Sequence, residues 1–384
     1  MRFEFATAAR IIFGPGSVAE LGPLARVIGR RAFVVTGRDK IRHAGVINDL
    51  EGAGLGCTLF GVPGEPTVDL VREGTNLFRA SGCELLIAIG GGSAIDGGKA
   101  IAALAANPGD VLDYLEVIGK GQPLSNTPFP MIAVPTTAGT GAEVTRNAVL
   151  GSPVQRVKAS LRSPMMLPRI AIVDPQLTVG LSPAVTASTG LDALTQLIEP
   201  YVCLKANPVT DAFCLDGLRA VKRSLVTAYE NGMDAAARAG MSYASLLGGL
   251  ALANAGLGVV HGFAAPIGGM FNAPHGAVCA AILPYGMAAN IRALRTREPE
   301  GGALDRYREI ARILTDDRDA MPEDGEAWVS QLVQRLRIPS LSSYGIGPQH
   351  VPDIVAKAAS ASSMKANPVT LSDDELKWIL ESAI

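Results

Sequence analysis

The sequence predicts a doubly wound α/β half built on a parallel sheet, followed by an all-α half. Three observations carry that reading. Short runs in the first half are apolar from end to end, helical patterns lie between them, and strand patterns stop near Ser182-Pro183.

The first half supplies four such runs: residues 32–36 (AFVVT), 85–89 (LLIAI), 131–134 (MIAV) and Ile170–Val173 (IAIV). Each ends in Gly, Pro, Asp or Thr. Strands that are apolar throughout are strands covered on both faces, and the helical pattern over Val68–Ser81 makes them parallel neighbours joined by crossovers. In this class ligands bind beyond the carboxyl ends of the strands. After Ser182-Pro183, a capping serine followed by a first-turn proline, helical patterns follow one another over 184–202, 209–229, 235–255, 304–314, 326–336 and 373–382. The expected domains are therefore 1–182 and 183–384. A chain of 384 residues, 48% of them hydrophobic, suits two cores better than one.

Composition excludes several functions. With 18% charged residues, a formal net charge of −2 and no run of lysine or arginine, the chain has no electrostatic footprint for nucleic acid. The apolar excess implies a buried subunit interface, hence a homodimer or higher homo-oligomer. Five cysteines, Cys57, Cys83, Cys203, Cys214 and Cys279, are odd in number and lack CxxC spacing, so they read as buried reduced thiols of a cytoplasmic protein. The N-terminus has no basic-then-apolar signal pattern, and no long uncharged apolar stretch is free of helix breakers, so no membrane span is expected. The apolar stretch 246–276 holds eight glycines and two prolines, which suits a core around a site better than a membrane span, and its part 261–276 reads as irregular.

Two turns carry binding chemistry. Gly90-Gly91-Gly92-Ser93-Ala94-Ile95-Asp96 follows a predicted strand and opens a helix, where glycines admit a phosphate to free N–H groups at the positive end of the helix dipole. It is neither GxGxxG nor a Walker sequence. Pro135-Thr136-Thr137-Ala138-Gly139-Thr140-Gly141 follows the next strand with hydroxyls and small residues. Together the two suit a dinucleotide. After the first strand stands Thr36-Gly37-Arg38-Asp39; Gly37 and Arg38 leave room and positive charge for a 2′-phosphate, which favours NADP(H) over NAD(H).

The second half supplies candidate ligands. His261 and His275 lie in HGFAAPIGGMFNAPHG, and Asp192 sits in an otherwise apolar helix, an expensive place for a carboxylate without a partner. Gln196 lies one helical turn from Asp192 on the same face. Two imidazoles, a carboxylate and an open position make a catalytic site for Zn²⁺ or Fe²⁺ that would polarise a substrate oxygen.

At these motifs the chain resembles the iron-containing (group III) alcohol dehydrogenases, with their glycerol dehydrogenase-like and maleylacetate reductase-like members. The resemblance runs from IIFGPGSVAELG through GGGSAIDGGKA, PTTAGTGAEVT, AIVDP and GLDALTQLIEPYV to HGFAAPIGGMFNAPHG. It implies a dinucleotide-binding α/β domain, a helical metal domain, and hydride transfer between NAD(P) and a small alcohol or carbonyl compound. By position, Asp192, His261 and His275 match three metal ligands, and Gly91, Gly92, Ser93, Thr136, Thr137 and Lys158 fall where the family holds the dinucleotide. Gly37 stands where many NAD-preferring members have aspartate. Two positions depart from the pattern. A fourth-ligand histidine is replaced by Gln196, which could supply an amide oxygen, and a histidine thought to assist proton transfer is replaced by Ala265. The departures keep open a three-ligand zinc site, or a metal-free site in which Gln196 hydrogen-bonds substrate. A decayed nucleotide-binding protein is a third reading. A maleylacetate reductase-like oxo-acid reductase would need a cationic clamp, for which Lys205, Arg219 and Lys222 are the candidates.

Smaller signals read as structural. Asp96 caps or braces its turn, Glu143 is a buried brace, His43 and His350 are surface residues, and nothing singles out Tyr201 or Tyr243. Phe263, Ile267, Met270 and Phe271, with residues 144–150, are expected to shape the substrate pocket.

Overall fold

The computed structural model describes residues 2–38 and 41–384, apart from the side chain of residue 41; Asp39 lies outside the described residues. The chain forms two compact units. One comprises Phe5–Thr137 and Gly141–Val179, the other Gly180–Ile384 with Ala138–Thr140 and residues 2–4. The break falls at Gly180, which turns the chain in a left-handed conformation (φ +75°), just ahead of the Ser182-Pro183 helix start.

The first unit contains β1 (Arg10–Phe13), α1 (Leu21–Ile28), β2 (Arg31–Thr36), α2 (Ala44–Gly52), β3 (Gly56–Gly61), α3 (Val68–Ser81), β4 (Leu85–Gly90), α4 (Gly92–Ala106), α5 (Val111–Tyr114), β5 (Met131–Pro135), β6 (Asn147–Ser152), β7 (Val157–Arg162) and β8 (Ile170–Val173). Six strands pair in parallel in the order β1-β8-β5-β4-β2-β3, while β6 and β7 form an antiparallel hairpin. Successive residues of β2 and β4 point to opposite faces. Phe33, Val35, Leu86 and Ala88 join Val71, Phe78, Ile95 and Ile101 in one core. Ala32, Val34, Leu85, Ile87 and Ile89 join Leu21, Ala25, Ile47 and Leu50 in the other. Cover on both faces is why these strands carry no polar alternation. Register pairs Ile89 with Val134 and Gly90 with Pro135, so the two glycine-rich turns leave the sheet side by side.

The edge strands β1 and β3 carry no comparable apolar run. Their burial is partial, with Arg10 and Phe13 exposed at the two ends of β1 and Leu59 exposed in β3. An edge strand needs less apolar surface, and blunting it guards against stray pairing.

The second unit contains α6 (Pro183–Val202), α7 (Pro208–Glu230), α8 (Ala235–Asn254), α9 (Val259–Met270), α10 (His275–Arg297), α11 (Gly302–Thr315), α12 (Pro322–Arg335), α13 (Val351–Ser360) and α14 (Asp373–Ala383). Ser182 caps α6 by accepting from the Val185 N–H at 3.3 Å, with Pro183 in the first turn. The stretch 261–276, expected to be irregular, is mostly helical. α8 ends at Asn254, the chain bends by 96°, and α9 and α10 follow with Pro266 and Pro284 inside them. Glycine and proline here mark close packing and a sharp bend, not loop. α10 is long and apolar enough to cross a membrane by length and composition (mean hydropathy 1.4), but 83% of that stretch is buried inside the protein, as in a core helix.

Candidate metal and nucleotide sites

Three helices bring the metal-site residues together. α6 carries Asp192, α9 carries His261 in its first turn, and α10 opens with His275 and carries Cys279 one turn later. One donor atom from each of these four residues lies within 4.8 Å of all the others. Asp192 Oδ1 is 3.6 Å from His261 Nε2 and 3.7 Å from His275 Nε2. Cys279 Sγ is 3.9 Å and 3.7 Å from the same two nitrogens. Asp192, His261 and Cys279 are buried, whereas the His275 side chain is 34% exposed, so the cluster meets solvent at His275.

The approach of α10 to α6 depends on one residue. A Cβ at Gly276 would stand 2.4 Å from the Ser188 carbonyl oxygen and 3.3 Å from Asp192 Cβ. Gly258, which precedes α9, is also confined: a Cβ there would lie 2.7 Å from Asn367 Oδ1 and 2.9 Å from Glu199 Oε1. Glu199, two turns along α6 from Asp192, accepts from the Val260 N–H at 2.7 Å and lies 2.6 Å from His261 Nδ1. A carboxylate accepts only, so His261 donates through Nδ1 and turns Nε2 toward Asp192 and Cys279.

The electrostatics suit a cation. Asp192 Oδ1 is buried without a hydrogen-bond partner, a costly orphan that a bound divalent ion would satisfy. Burial works to raise the Asp192 carboxyl, but His275, His261 and the Gln196 amide outweigh it and hold it below the usual carboxylate range. Burial also opposes charge on His261, yet Cys279, Asp192 and Glu199 overcome it and raise the imidazole well above its ordinary value. Burial pushes the Cys279 thiol up to about 11. A carboxylate oxygen, two imidazole nitrogens and a sulfur around one buried point are a donor set for Zn²⁺ or Fe²⁺; the residues fit the group.

Gln196 lies one turn from Asp192, its amide donating to that carboxylate while its Oε1 is buried without a partner. Ala265, where the resemblance places an imidazole, is exposed. Phe263 and Ile267 are fully buried on α9, and Met270 and Phe271 are half-buried. Tyr201 donates to Glu309, and Tyr243 donates to Asp216 at 2.8 Å. His43 is buried, contrary to the surface position expected from its polar neighbours, and His350 Nδ1 accepts from the Gly347 N–H at 3.1 Å. Arg219 and Lys222 line a concavity with Arg223, Arg308, Arg312 and Arg318 that includes no member of the donor cluster, and Lys205 is exposed.

Cys279 and Glu199 were not legible as site residues from sequence. The available signal was periodicity: Cys279 is four residues after His275, and Glu199 seven after Asp192, so each shares its partner's helix face. Reading 261–276 as irregular left no reason to extend a helix beyond it through Cys279.

In the first unit, Gly91 caps α4, and Gly92 and Ser93 form its first turn, where N–H groups have no intrahelical partner. The Thr136 N–H donates to the Gly90 carbonyl at 2.9 Å, and a Cβ on Gly91 would stand 3.2 Å from Thr137 Oγ1. The two turns thus share one half-buried rim of backbone and hydroxyl groups at the carboxyl end of the sheet. Absence of a side chain at Gly91 keeps that cradle open, and this fits a nucleotide phosphate. Gly37 follows β2 with open space where a Cβ would be, and the adjacent Arg38 is exposed, its Nε donating to the Pro63 carbonyl at 3.0 Å. Lys158 on β7 is held by Glu65 at 2.5 Å. Thr140 groups with the helical unit, as does Gly139, whose Cβ would meet Thr189 at 2.8 Å. Asp96 acts as a brace, accepting from the Val149 N–H of β6 at 3.0 Å. Glu143 is buried, and burial raises its carboxyl to about 7 against the pull of Lys99.

Comparison with known proteins agrees over the whole chain. The model of iron-containing alcohol dehydrogenases matches residues 8–175, and that of the C-terminal region of the Fe-containing alcohol dehydrogenase family matches residues 186–384. The chain is 35% identical over 379 residues to alcohol dehydrogenase 4 of Schizosaccharomyces pombe, covering 97% of this chain and 87% of the yeast protein. The crystal structure of a 1,3-propanediol oxidoreductase superposes with a TM-score of 0.92 at 32% identity, covering 100% of both chains. The sulfoacetaldehyde reductase of Bifidobacterium kashiwanohense, solved in complex with NAD+, superposes with a TM-score of 0.87 at 28% identity, covering 100% of this chain and 99% of that one.

Proposed function

We propose that this chain, which belongs to the iron-containing alcohol dehydrogenase family, exchanges hydride between NAD(P)(H) and a small alcohol or its aldehyde or ketone partner. The observation that carries the reading is the buried cluster of Asp192, His261 and His275 with its orphaned carboxylate oxygen.

A divalent cation held there supplies Lewis acidity toward the substrate oxygen. The protein's own residues do the rest. Asp192, kept ionised by its neighbours, supplies negative charge to the donor set. Glu199 holds the His261 ring in the tautomer that presents Nε2. His275, the exposed member, marks the side from which a small substrate enters. Gly91, Gly92 and Ser93 offer first-turn N–H groups to a cofactor phosphate, with Thr136 and Thr137 alongside. In the oxidative direction the substrate carbon gives hydride to the nicotinamide and its hydroxyl loses a proton. Ala265 has no atom to hold that proton, which leaves instead to water or to a ribose hydroxyl of the nucleotide.

Gly37 and Arg38 support NADP(H) as the preferred nucleotide, since the turn after β2 has open space and an exposed cation where a 2′-phosphate would sit. A small diol or aldehyde is supported by the named activities of the structural neighbours. The apolar excess supports a homo-oligomer. The test is nicotinamide absorbance during reduction of small aldehydes and oxidation of small diols, by protein treated with chelator and then reloaded with Zn²⁺ or Fe²⁺. Turnover that falls on chelation and returns with metal is expected. No turnover in any state, with either nucleotide, would refute the reading.

A further inference from the structure

We propose that Cys279 is the fourth protein ligand of the metal site, and that its thiolate biases this site toward zinc over iron. The inference rests on the metal-assisted reading of the cluster and adds a donor to it.

Geometry comes first. An ion bound tetrahedrally through bonds of about 2.0–2.3 Å holds its ligand atoms roughly 3.3–3.6 Å apart. The two imidazole nitrogens stand 3.6 and 3.7 Å from Asp192 Oδ1, and 3.9 and 3.7 Å from Cys279 Sγ. These four separations need contract by only a few tenths of an ångström, and all four donor atoms lie within 4.8 Å of one another around one point. His275 and Cys279 are one turn apart on α10, so a single rigid helix fixes both. Cys279 is fully buried, and both of its hydrogen-bond-range contacts are the two ligand imidazoles.

Chemistry separates Cys279 from Gln196, the other residue placed to complete the set. The Gln196 Oε1 that could ligate is buried without a partner, but it is a neutral, hard oxygen. A thiolate at Cys279 places a negative charge directly on a donor atom, where a carboxamide places none, and so holds a divalent ion more strongly. On metal binding the Cys279 S–H bond breaks, a metal–sulfur bond forms, the proton leaves to solvent and no oxidation state changes. Thiolate is a soft donor and favours Zn²⁺ over Fe²⁺ beyond the ordinary order of divalent affinities.

Cobalt(II) serves as the probe, added to metal-stripped full-length protein. A near-ultraviolet thiolate-to-cobalt charge-transfer band is expected in the wild-type protein. It should vanish in Cys279→Ser while the visible cobalt bands persist. Gln196→Ala should keep it. Zinc-over-iron preference, from competition of the two metals, should fall at least tenfold in Cys279→Ser. A wild-type cobalt spectrum with no thiolate band would overturn the ligand assignment, and an unchanged metal preference would overturn the bias toward zinc. Should Cys279→Ser fail to fold, zinc-edge X-ray absorption of the wild type decides. A sulfur neighbour at about 2.3 Å supports the assignment, and a shell of only nitrogen and oxygen refutes it. Cobalt bound without sulfur leaves the metal site standing and removes Cys279 from it; no cobalt binding at all removes the metal reading itself.

Discussion

Adding one methyl group at position 276 tests whether the donor cluster depends on the close crossing of α6 and α10. In Gly276→Ala the new Cβ would lie 2.4 Å from the Ser188 carbonyl oxygen, 2.9 Å from the Ser188 carbonyl carbon and 3.3 Å from Asp192 Cβ. Carbon-to-oxygen contacts settle at about 3.3–3.6 Å, so α10 must retreat by roughly 1 Å. The obstacle is helix backbone and cannot rotate away. Overpacking of this kind costs about 1–3 kcal/mol, which lowers Tm by about 2–4 °C for each kcal/mol in a unit of this size. The larger effect falls on the site. His275 opens the displaced helix and Asp192 stands on the other, so their 3.7 Å separation widens toward the limit of shared coordination. Zinc affinity, read by chelator competition, should fall about 100-fold, the scale on which disturbed ligand positioning acts. Gly302→Ala is the control: it meets nothing within 4 Å and should stay within about 0.5 kcal/mol of wild type. A Gly276→Ala protein with wild-type Tm and wild-type zinc affinity would show that the crossing does not govern the site.

Three further perturbations follow from single contacts. Glu199→Gln leaves a neutral partner on His261 Nδ1 and should weaken zinc binding about 10- to 100-fold with the fold retained; equal affinity in chelator competition would rule out a role in holding the ring. Glu143 has its carboxyl raised by burial from 4.5 to about 7, so the folded state binds the extra proton; that contribution is complete below pH 4.5 and is lost as pH rises through 7. At about 1.4 kcal/mol per unit the ceiling is about 3 kcal/mol, and Glu143→Gln should be most stabilising relative to wild type at pH 8 in urea unfolding; a pH-independent difference would refute it. Gly37→Asp meets open space and should shift the ratio of kcat/KM for NADH over NADPH at least tenfold, about 1.4 kcal/mol; an unchanged ratio would remove Gly37 from nucleotide choice.

The first unit was readable where burial is complete. β2, β4, β5 and β8 are covered on both faces, so their apolar runs mark them within a residue or so, and Val68–Ser81 has a capping Thr67 and a left-handed Gly82 that define its ends. β1 and β3 are edges whose residues are partly exposed, and no local pattern distinguishes such chain from a turn. The register that sets Gly90 beside Pro135 is a tertiary fact, but parallel order implied it, which is why two weak turns could be read together.

The donor cluster was readable residue by residue but not as a set. Asp192, His261 and His275 announce themselves as polar groups in apolar surroundings, and the structure adds that one carboxylate oxygen is left unpartnered among them. Proline and glycine in 261–276 argue locally for loop, because proline removes a donor and glycine gains freedom in the unfolded chain. Here tertiary packing overrides both. A Cβ at Gly258 would collide with the Asn367 and Glu199 side chains and one at Gly276 with the backbone of α6, so glycine at both permits the close approach. Once α10 is seen to begin at His275, Cys279 follows on the same face, just as Gln196 follows Asp192 on α6. The glutamine therefore does not by itself signal a lost ligand. Two helix faces meet at one point, and each offers a second donor one turn on. A site can keep four donors while the fourth moves from α6 to α10, so the count can be taken only after both faces are in place.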